Sequence, residues 1–178
     1  MKKSIGFGLV VATLMTGCAT GQMAYDTQTQ TSNPRNLPTV KTPKRTLYAK
    51  QGDPCLYKKA VVVDITDGWG EFYTCENYEI TRSNFVAAGR PSQSGRYNTP
   101  TGEFNIAWQA KEWDSKKYPS TDGTRNMNYA SFFHPSGVAL HAGSINARSH
   151  GCVHLTSKDA QYVYENFSNG DKVIVQSY

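Results

Sequence analysis

The 178 residues, 38% of them hydrophobic, have room for one modest domain beside a polar tail. A net charge of +5, from 19 basic and 14 acidic residues, is mild, and no dense Lys/Arg block occurs beyond Lys41 to Arg45. That balance excludes a nucleic-acid interface, which needs clustered cations interleaved with stacking aromatics.

In chain order, Lys2 and Lys3 open a positive region, Ile5 to Met15 is largely apolar, and Thr16-Gly17-Cys18 follow. This is the pattern of a secretory leader, its apolar run being too short to span a bilayer. Small residues directly before a cysteine resemble the bacterial lipoprotein cleavage box, with Met15 an acceptable residue three positions before the cut. The resemblance implies a signal peptide over 1–17 and lipidation of Cys18, with plain secretion as the alternative. Ala19 stands where an aspartate would signal inner-membrane retention, which implies an outer-membrane lipid anchor facing the periplasm. Loss of Lys2 and Lys3 with the leader lowers the charge from +5 to +3.

From Cys18 to Arg45 the chain is rich in Thr, Gln, Asn and Pro, too poor in large apolar groups to offset its ordering entropy. It reads as a tether with an end-to-end distance of roughly 30 Å. The domain then runs over 46–178, and its pattern is mainly β. Ala60 to Ile65 is an apolar run ended by the turn pair Asp67-Gly68, and Glu71 to Cys75 and Tyr78 to Ala87 continue a meander. Glu103 to Trp108 alternates apolar Phe104, Ile106 and Trp108 with polar or small neighbours, as one strand would. The stretch 109–126 has no period and reads as a long surface loop. Ser131 to Phe133 and Val138 to Leu140 flank the Pro135-Ser136-Gly137 turn as two further strands. A helix follows, capped by Thr156 or Ser157, with Asp159 in its first turn and Ala160, Val163, Tyr164 and Phe167 at helical spacing. Asn169-Gly170 stops it, and Asp171 to Gln176 closes as a strand.

Four cysteines carry more information. Lipidation takes Cys18; Cys55 and Cys75 enclose about 20 residues, and a disulfide between them would contribute on the order of 3 kcal/mol. Two buried thiols are the alternative. Cys152 is left over, and an unpaired thiol in an oxidising compartment is a candidate reactive group. It stands in Ser149-His150-Gly151-Cys152-Val153, with His141 upstream and His154 just beyond. An imidazole at 141 or 150 would accept the thiol proton, and the Gly151 and Cys152 amides near a strand-to-helix junction would face an oxyanion. If 150–154 is extended, His150, Cys152 and His154 share one face, a geometry that also suits zinc, although no second Cys or carboxylate completes a familiar spacing. An inert buried cysteine beside core histidines is the remaining reading.

The motif Ser149-His150-Gly151-Cys152-Val153 after His141-Ala142-Gly143 resembles the catalytic signature of the L,D-transpeptidases, the YkuD-type domain. Val86-Ala87-Ala88-Gly89, followed by Asn98-Thr99-Pro100-Thr101-Gly102-Glu103-Phe104, resembles a second element of that family, and the two together extend the resemblance over most of 58–176. It implies a β-sandwich or barrel with one C-terminal helix before the last strand. Cys152 becomes the nucleophile, His141 the base oriented by the Ala142 carbonyl, and His150 and Gly151 the walls of the oxyanion region, with Ser149 supporting the loop. Met127 and Tyr129 fall where substrate contacts are expected. His154 replaces the usual Arg of the substrate site, with Arg148 as a candidate replacement cation. No cofactor or metal is implied.

The activity so implied is acyl transfer on peptidoglycan stem peptides: cleavage of the bond between the third-position diamino acid and the terminal D-Ala. The acyl group passes to an amine, either another stem (a 3→3 cross-link) or a lysine of an envelope lipoprotein. With water as acceptor the same site is an L,D-carboxypeptidase. A non-catalytic peptidoglycan-binding lipoprotein is the competing class, favoured by His154 alone. A papain-like peptidase would carry its cysteine before its histidine, the reverse of the order here.

Overall fold

The computed structural model describes residues 45–90, 94–120 and 126–177. The expected leader, the expected lipidation site Cys18 and all but the last residue of the expected tether lie outside the described residues. Nine strands and one helix follow one another as β1 (Lys59–Thr66), β2 (Trp69–Glu76), β3 (Glu79–Ala87), β4 (Gly102–Asn105), β5 (Trp108–Ala110), β6 (Ala130–His134), β7 (Val138–Ala142), β8 (Val153–Leu155), α1 (Ser157–Asn166) and β9 (Lys172–Ser177). They form one sheet in the order β4-β9-β1-β2-β3-β8-β7-β6-β5, with β1–β9 and β7–β8 parallel and the other neighbours antiparallel.

The meander follows from its turns. Asp67 and Gly68 both take positive φ, 47° and 77°, which gives a two-residue hairpin whose twist suits the flanking strands. Asn77 and Tyr78 do the same, at 52° and 68°, so Tyr78 is a turn residue and β3 begins at Glu79 rather than at Tyr78. β1 lies in the middle of the sheet and is buried on both faces, which explains its unbroken apolar run. Val61, Val63 and Ile65 enter the main core with Phe72, Leu140 and Phe167, while Ala60 and Val62 face a second cluster with Cys75 and Ile174.

The single strand expected over Glu103 to Trp108 is two strands at opposite ends of the sheet. β4 pairs with β9, β5 pairs with β6, and only Ile106 and Ala107 lie between. Ile106 N donates to Asp171 O at 2.9 Å and Ala107 N to Phe132 O at 2.7 Å, one to each edge. Two residues reach about 7 Å at most, so the edges must meet and the sheet must curl. Across the enclosed space Phe104 and Phe133 lie 5.4 Å apart, centroid to centroid. The loop expected over 109–126 correspondingly starts later, since Gln109 and Ala110 belong to β5.

Helix α1 covers the core with Ala160, Val163 and Phe167. Thr156 caps it by accepting from Asp159 N, and the buried Asp159 carboxylate accepts from Arg82 Nε and Asn84 Nδ2 of β3. A buried carboxylate left without those donors would be strongly destabilising, so the helix is moored to β3 by charge as well as by packing.

Cys55 and Cys75 form a disulfide with 5.9 Å between their α-carbons. It pins the segment before β1, with Tyr57, over the outer cluster of β1 and β2. Replacing both cysteines by serine should lower the unfolding free energy by about 2–4 kcal/mol, read as a fall in denaturation midpoint that reductant reproduces in the wild type. An unchanged midpoint in both would show that the crosslink contributes nothing.

Candidate active site

β7 and β8 pair in parallel with Leu140 opposite Val153 and His141 opposite His154. Side chains alternate along each strand. Leu140, Val153 and Leu155 therefore enter the core, while His141, His154 and the residue preceding β8, Cys152, turn to the other face. The His141 and His154 rings meet edge to face at 4.9 Å. Cys152 is free and half-buried, packed against a small cluster that includes Met127, Phe132 and Ala139. Cys152, His141, His150, His154 and Met127 line one cavity of about 780 Å³.

The chemistry of the pair is set by burial. His141 Nδ1 donates to the Ala142 carbonyl at 2.9 Å, which leaves Nε2 with its lone pair. Burial, reinforced by neighbouring His154 and only partly offset by the Ala142 bond, lowers the His141 pKa to about 4. Burial also pushes the Cys152 thiol up, against a backbone hydrogen bond at Ala139. At neutral pH the cavity therefore holds a thiol and a neutral imidazole, a nucleophile and a proton acceptor without an ion pair. His154 is lowered by burial too, and its Nδ1 donates to Ser144 O at 3.0 Å. Among the described residues no group of three or more His, Cys, Asp or Glu is arranged to hold a metal ion.

The nucleophile loop differs from expectation at Gly151. Its N–H donates to Ser149 Oγ at 3.0 Å, so it is not directed at the cavity. Ser149 Oγ in turn donates to the Cys152 carbonyl. The Cys152 N–H makes no hydrogen bond among the described residues and is the donor left for an oxyanion. Gly151 has φ +125°, a conformation other residues rarely adopt. His150 lines the same cavity as Cys152 and His154. Its ring stacks on Tyr118 at 4.4 Å and meets Tyr97 edge-on at 5.0 Å.

A residue absent from the sequence-derived site holds this loop in place. The buried Thr99 hydroxyl accepts from Gly89 N at 2.8 Å and donates to Gly151 O at 2.8 Å, joining the β3 corner to the nucleophile loop. The approach is close enough that a Cβ on Gly89 would fall 2.7 Å from Gly151 Cα. Thr99 and Gly89 both lie in the motif pair that carried the family resemblance, which was the available signal. Tyr97 and Tyr118 had none.

Two expected substrate contacts lie elsewhere. Arg148 donates to the Asp67 carbonyl at 2.8 Å, pairs with its carboxylate and lies 5.3 Å from the centroid of the Trp69 ring, so its charge is engaged at the β1–β2 turn and it does not line the cavity. Tyr129 is turned by a φ of 54° to pack against Tyr164 of α1, centroids 5.9 Å apart. The first described residue is also anchored to the domain. Arg45 donates to Val86 O and to Ile145 O, at 2.8 and 2.9 Å, and sits over the Trp69 and Phe85 rings.

Two outcomes follow from this geometry. Thr99→Val removes one donor and one acceptor from buried backbone partners and should cost about 1–3 kcal/mol, whereas Thr99→Ser should retain most of the stability in the same chemical denaturation series. His141 binds its proton more weakly folded than unfolded, so its contribution to stability is complete above pH 6.5 and falls as the pH drops toward 4, by up to about 3 kcal/mol. His141→Asn should flatten that part of the stability–pH curve; an unaltered curve would mean that the imidazole is not buried in its neutral form.

The comparisons with known proteins agree with this geometry. Residues 58–175 match the family model of the YkuD L,D-transpeptidase catalytic domain. Among solved structures, an L,D-transpeptidase from Stackebrandtia nassauensis is 27% identical with a TM-score of 0.55, covering 70% of this chain and 58% of that one. An L,D-transpeptidase from Mycobacterium smegmatis is 26% identical at 0.54, covering 67% and 58%. A third, solved in complex with imipenem, is 26% identical at 0.52, covering 66% and 59%. The chain thus spans under three fifths of the length of these relatives, and no curated protein matches it. A family match over most of the domain, on a curled sheet that seats Cys152 and His141 in one cavity, makes this chain a member of the YkuD L,D-transpeptidase catalytic-domain family.

Proposed function

We propose that this protein is an L,D-transpeptidase of peptidoglycan, working in the periplasm from a lipid anchor on Cys18 in the outer membrane. The observation that carries the reaction is the placing of Cys152 and His141, both held neutral by burial, in one cavity, with the Cys152 N–H beside them unbonded among the described residues. Cys152 Sγ attacks the carbonyl of the diamino acid at stem position three while its proton passes to His141 Nε2. The tetrahedral oxyanion faces the Cys152 N–H. Collapse expels D-Ala, whose amine takes the proton from His141, and leaves a thioester on Cys152. An acceptor amine then attacks the thioester, gives a proton to the same imidazole and releases the thiol as a new amide forms. Starting from two neutral groups, the site creates charge only as the bond is made, in a half-buried setting where each hydrogen bond counts for more than in water.

The amine acceptor is another stem's diamino acid or a lysine of an envelope lipoprotein. A tether from the anchor brings the cavity to either. Incubation with tetrapeptide muropeptides should release D-Ala and yield a new amide-linked product by mass. Cys152→Ala should lower that release by roughly 10³-fold or more. Imipenem, found in complex with one of the similar L,D-transpeptidases, should add its mass to the wild type and not to Cys152→Ala. Unaltered muropeptides together with an unmodified Cys152 would overturn the proposal.

A further inference from the structure

Beyond the cysteine, the same cavity has an aromatic corner that acyl transfer does not use. The Trp108 indole lies flat on Phe132, centroids 3.7 Å apart and planes 9° from parallel. Trp113 stands nearly perpendicular to Trp108, 5.0 Å away at 72°. Both line the cavity together with Cys152, and Phe132 belongs to the small cluster on which Cys152 packs. The two indoles are 40% and 38% exposed, so each keeps ring surface open where it lines the cavity. Neither indole N–H has a hydrogen-bond partner among the described residues. The corner therefore offers two apolar surfaces set steeply to one another and two donors without a partner among the described residues.

We propose that Trp108 and Trp113 form a saccharide subsite, which binds a pyranose ring of the glycan that carries the donor stem. This rests on the reading of the protein as a peptidoglycan enzyme. A pyranose presents a flat C–H face to an aromatic ring and hydroxyl or acetamido oxygens at its rim. That matches an exposed indole face with an unpaired N–H at its edge. The donor stem's reacting end matches it poorly, since D-Ala is small and the diamino acid is ionic at its tip. Geometry agrees. The reacting carbonyl belongs to stem residue three, so an extended stem places the sugar about 10 Å from the sulfur. Phe132 lies in the cluster that Cys152 touches and Trp108 stacks on Phe132, so the indoles line the same cavity at one aromatic ring's remove from that cluster.

The subsite is specific in what it does. It adds binding energy remote from the reacting bond, so it favours stems still attached to glycan over free peptides. The wild type should turn over a disaccharide-tetrapeptide with higher kcat/KM than the free tetrapeptide. In Trp113→Ala the ratio of the two should fall about tenfold, the factor that one aromatic contact supplies, with Trp113→Phe recovering most of it. Trp108→Ala removes the partner of Phe132 and is read the same way only if its thermal midpoint is retained. A second measurement needs no turnover: titration with an N-acetylglucosamine oligomer should shift the indole fluorescence of the wild type, and the shift should be lost in Trp113→Ala.

A ratio that stays constant because both substrates lose equally would make the corner a peptide contact and overturn the subsite. So would a Trp113→Ala variant with no loss on either, or a titration without response. If the wild type processes neither muropeptide while the oligomer still binds through Trp113, the acyl-transfer reading fails and the saccharide subsite stands.

Discussion

The ten residues from Gly143 to Cys152 join two neighbouring parallel strands without a helix, and most of the site follows from how that short crossover is held. Parallel neighbours ordinarily need a dozen or more connecting residues because the chain must return to the strand's starting end. Here the return is direct, so the loop is pulled tight across the cavity face and fastened along its length. Gly143 N bonds Leu155 O, Ser144 O accepts from His154, Ile145 O accepts from Arg45, Arg148 is tied to Asp67, and Ser149 N bonds Ala88 O. Cys152 comes last, where β8 begins. Its placement relative to His141 is thereby a property of strand register rather than of a flexible loop, as a site needing sub-ångström positioning requires.

This arrangement explains why polar side chains that look catalytic are structural, and the reverse. Ser149 and Thr99 spend their hydroxyls on backbone groups of the loop. Arg148, beside the motif and of the right charge for an anionic substrate, is held by an aspartate 81 residues away in sequence. His154 stands in the cavity yet gives its Nδ1 proton to Ser144 O. Beside Cys152 these bonds leave the thiol, one His141 nitrogen and the Cys152 N–H facing the cavity among the described residues.

Much of the fold was legible because turn chemistry and apolar period agree with tertiary structure in the meander, at Asp67-Gly68, and in α1, where Thr156 and Asp159 announce the start. The break between β4 and β5 was not legible. Alternation of Phe104, Ile106 and Trp108 is the same for one strand as for two strands joined by a two-residue step, and only closure of the sheet separates them. The same limit applies at the site. Cys152 and His141 were readable from the odd cysteine and the motif. The partner of the Gly151 N–H depends on a positive φ within the loop, and the aromatic shelf under His150 depends on Tyr97 and Tyr118 arriving from distant segments. Residue type gives the inventory of chemistry, and the loop's path decides which of it faces the cavity.

The electrostatics and the crossover are two sides of one constraint. A loop drawn tight over an apolar cluster removes water from Cys152 and His141, and that desolvation raises one pKa and lowers the other. A preformed thiolate–imidazolium pair would need polar surroundings to hold it, and a looser loop would admit them at the expense of position. The fold has the opposite balance: burial favours the neutral form of both groups. In the proposed reaction, an acyl group that enters the cavity reaches the Cys152 N–H with its oxygen and presents its carbon to Sγ, so the same desolvation that holds both groups neutral ties their charging to the arrival of substrate.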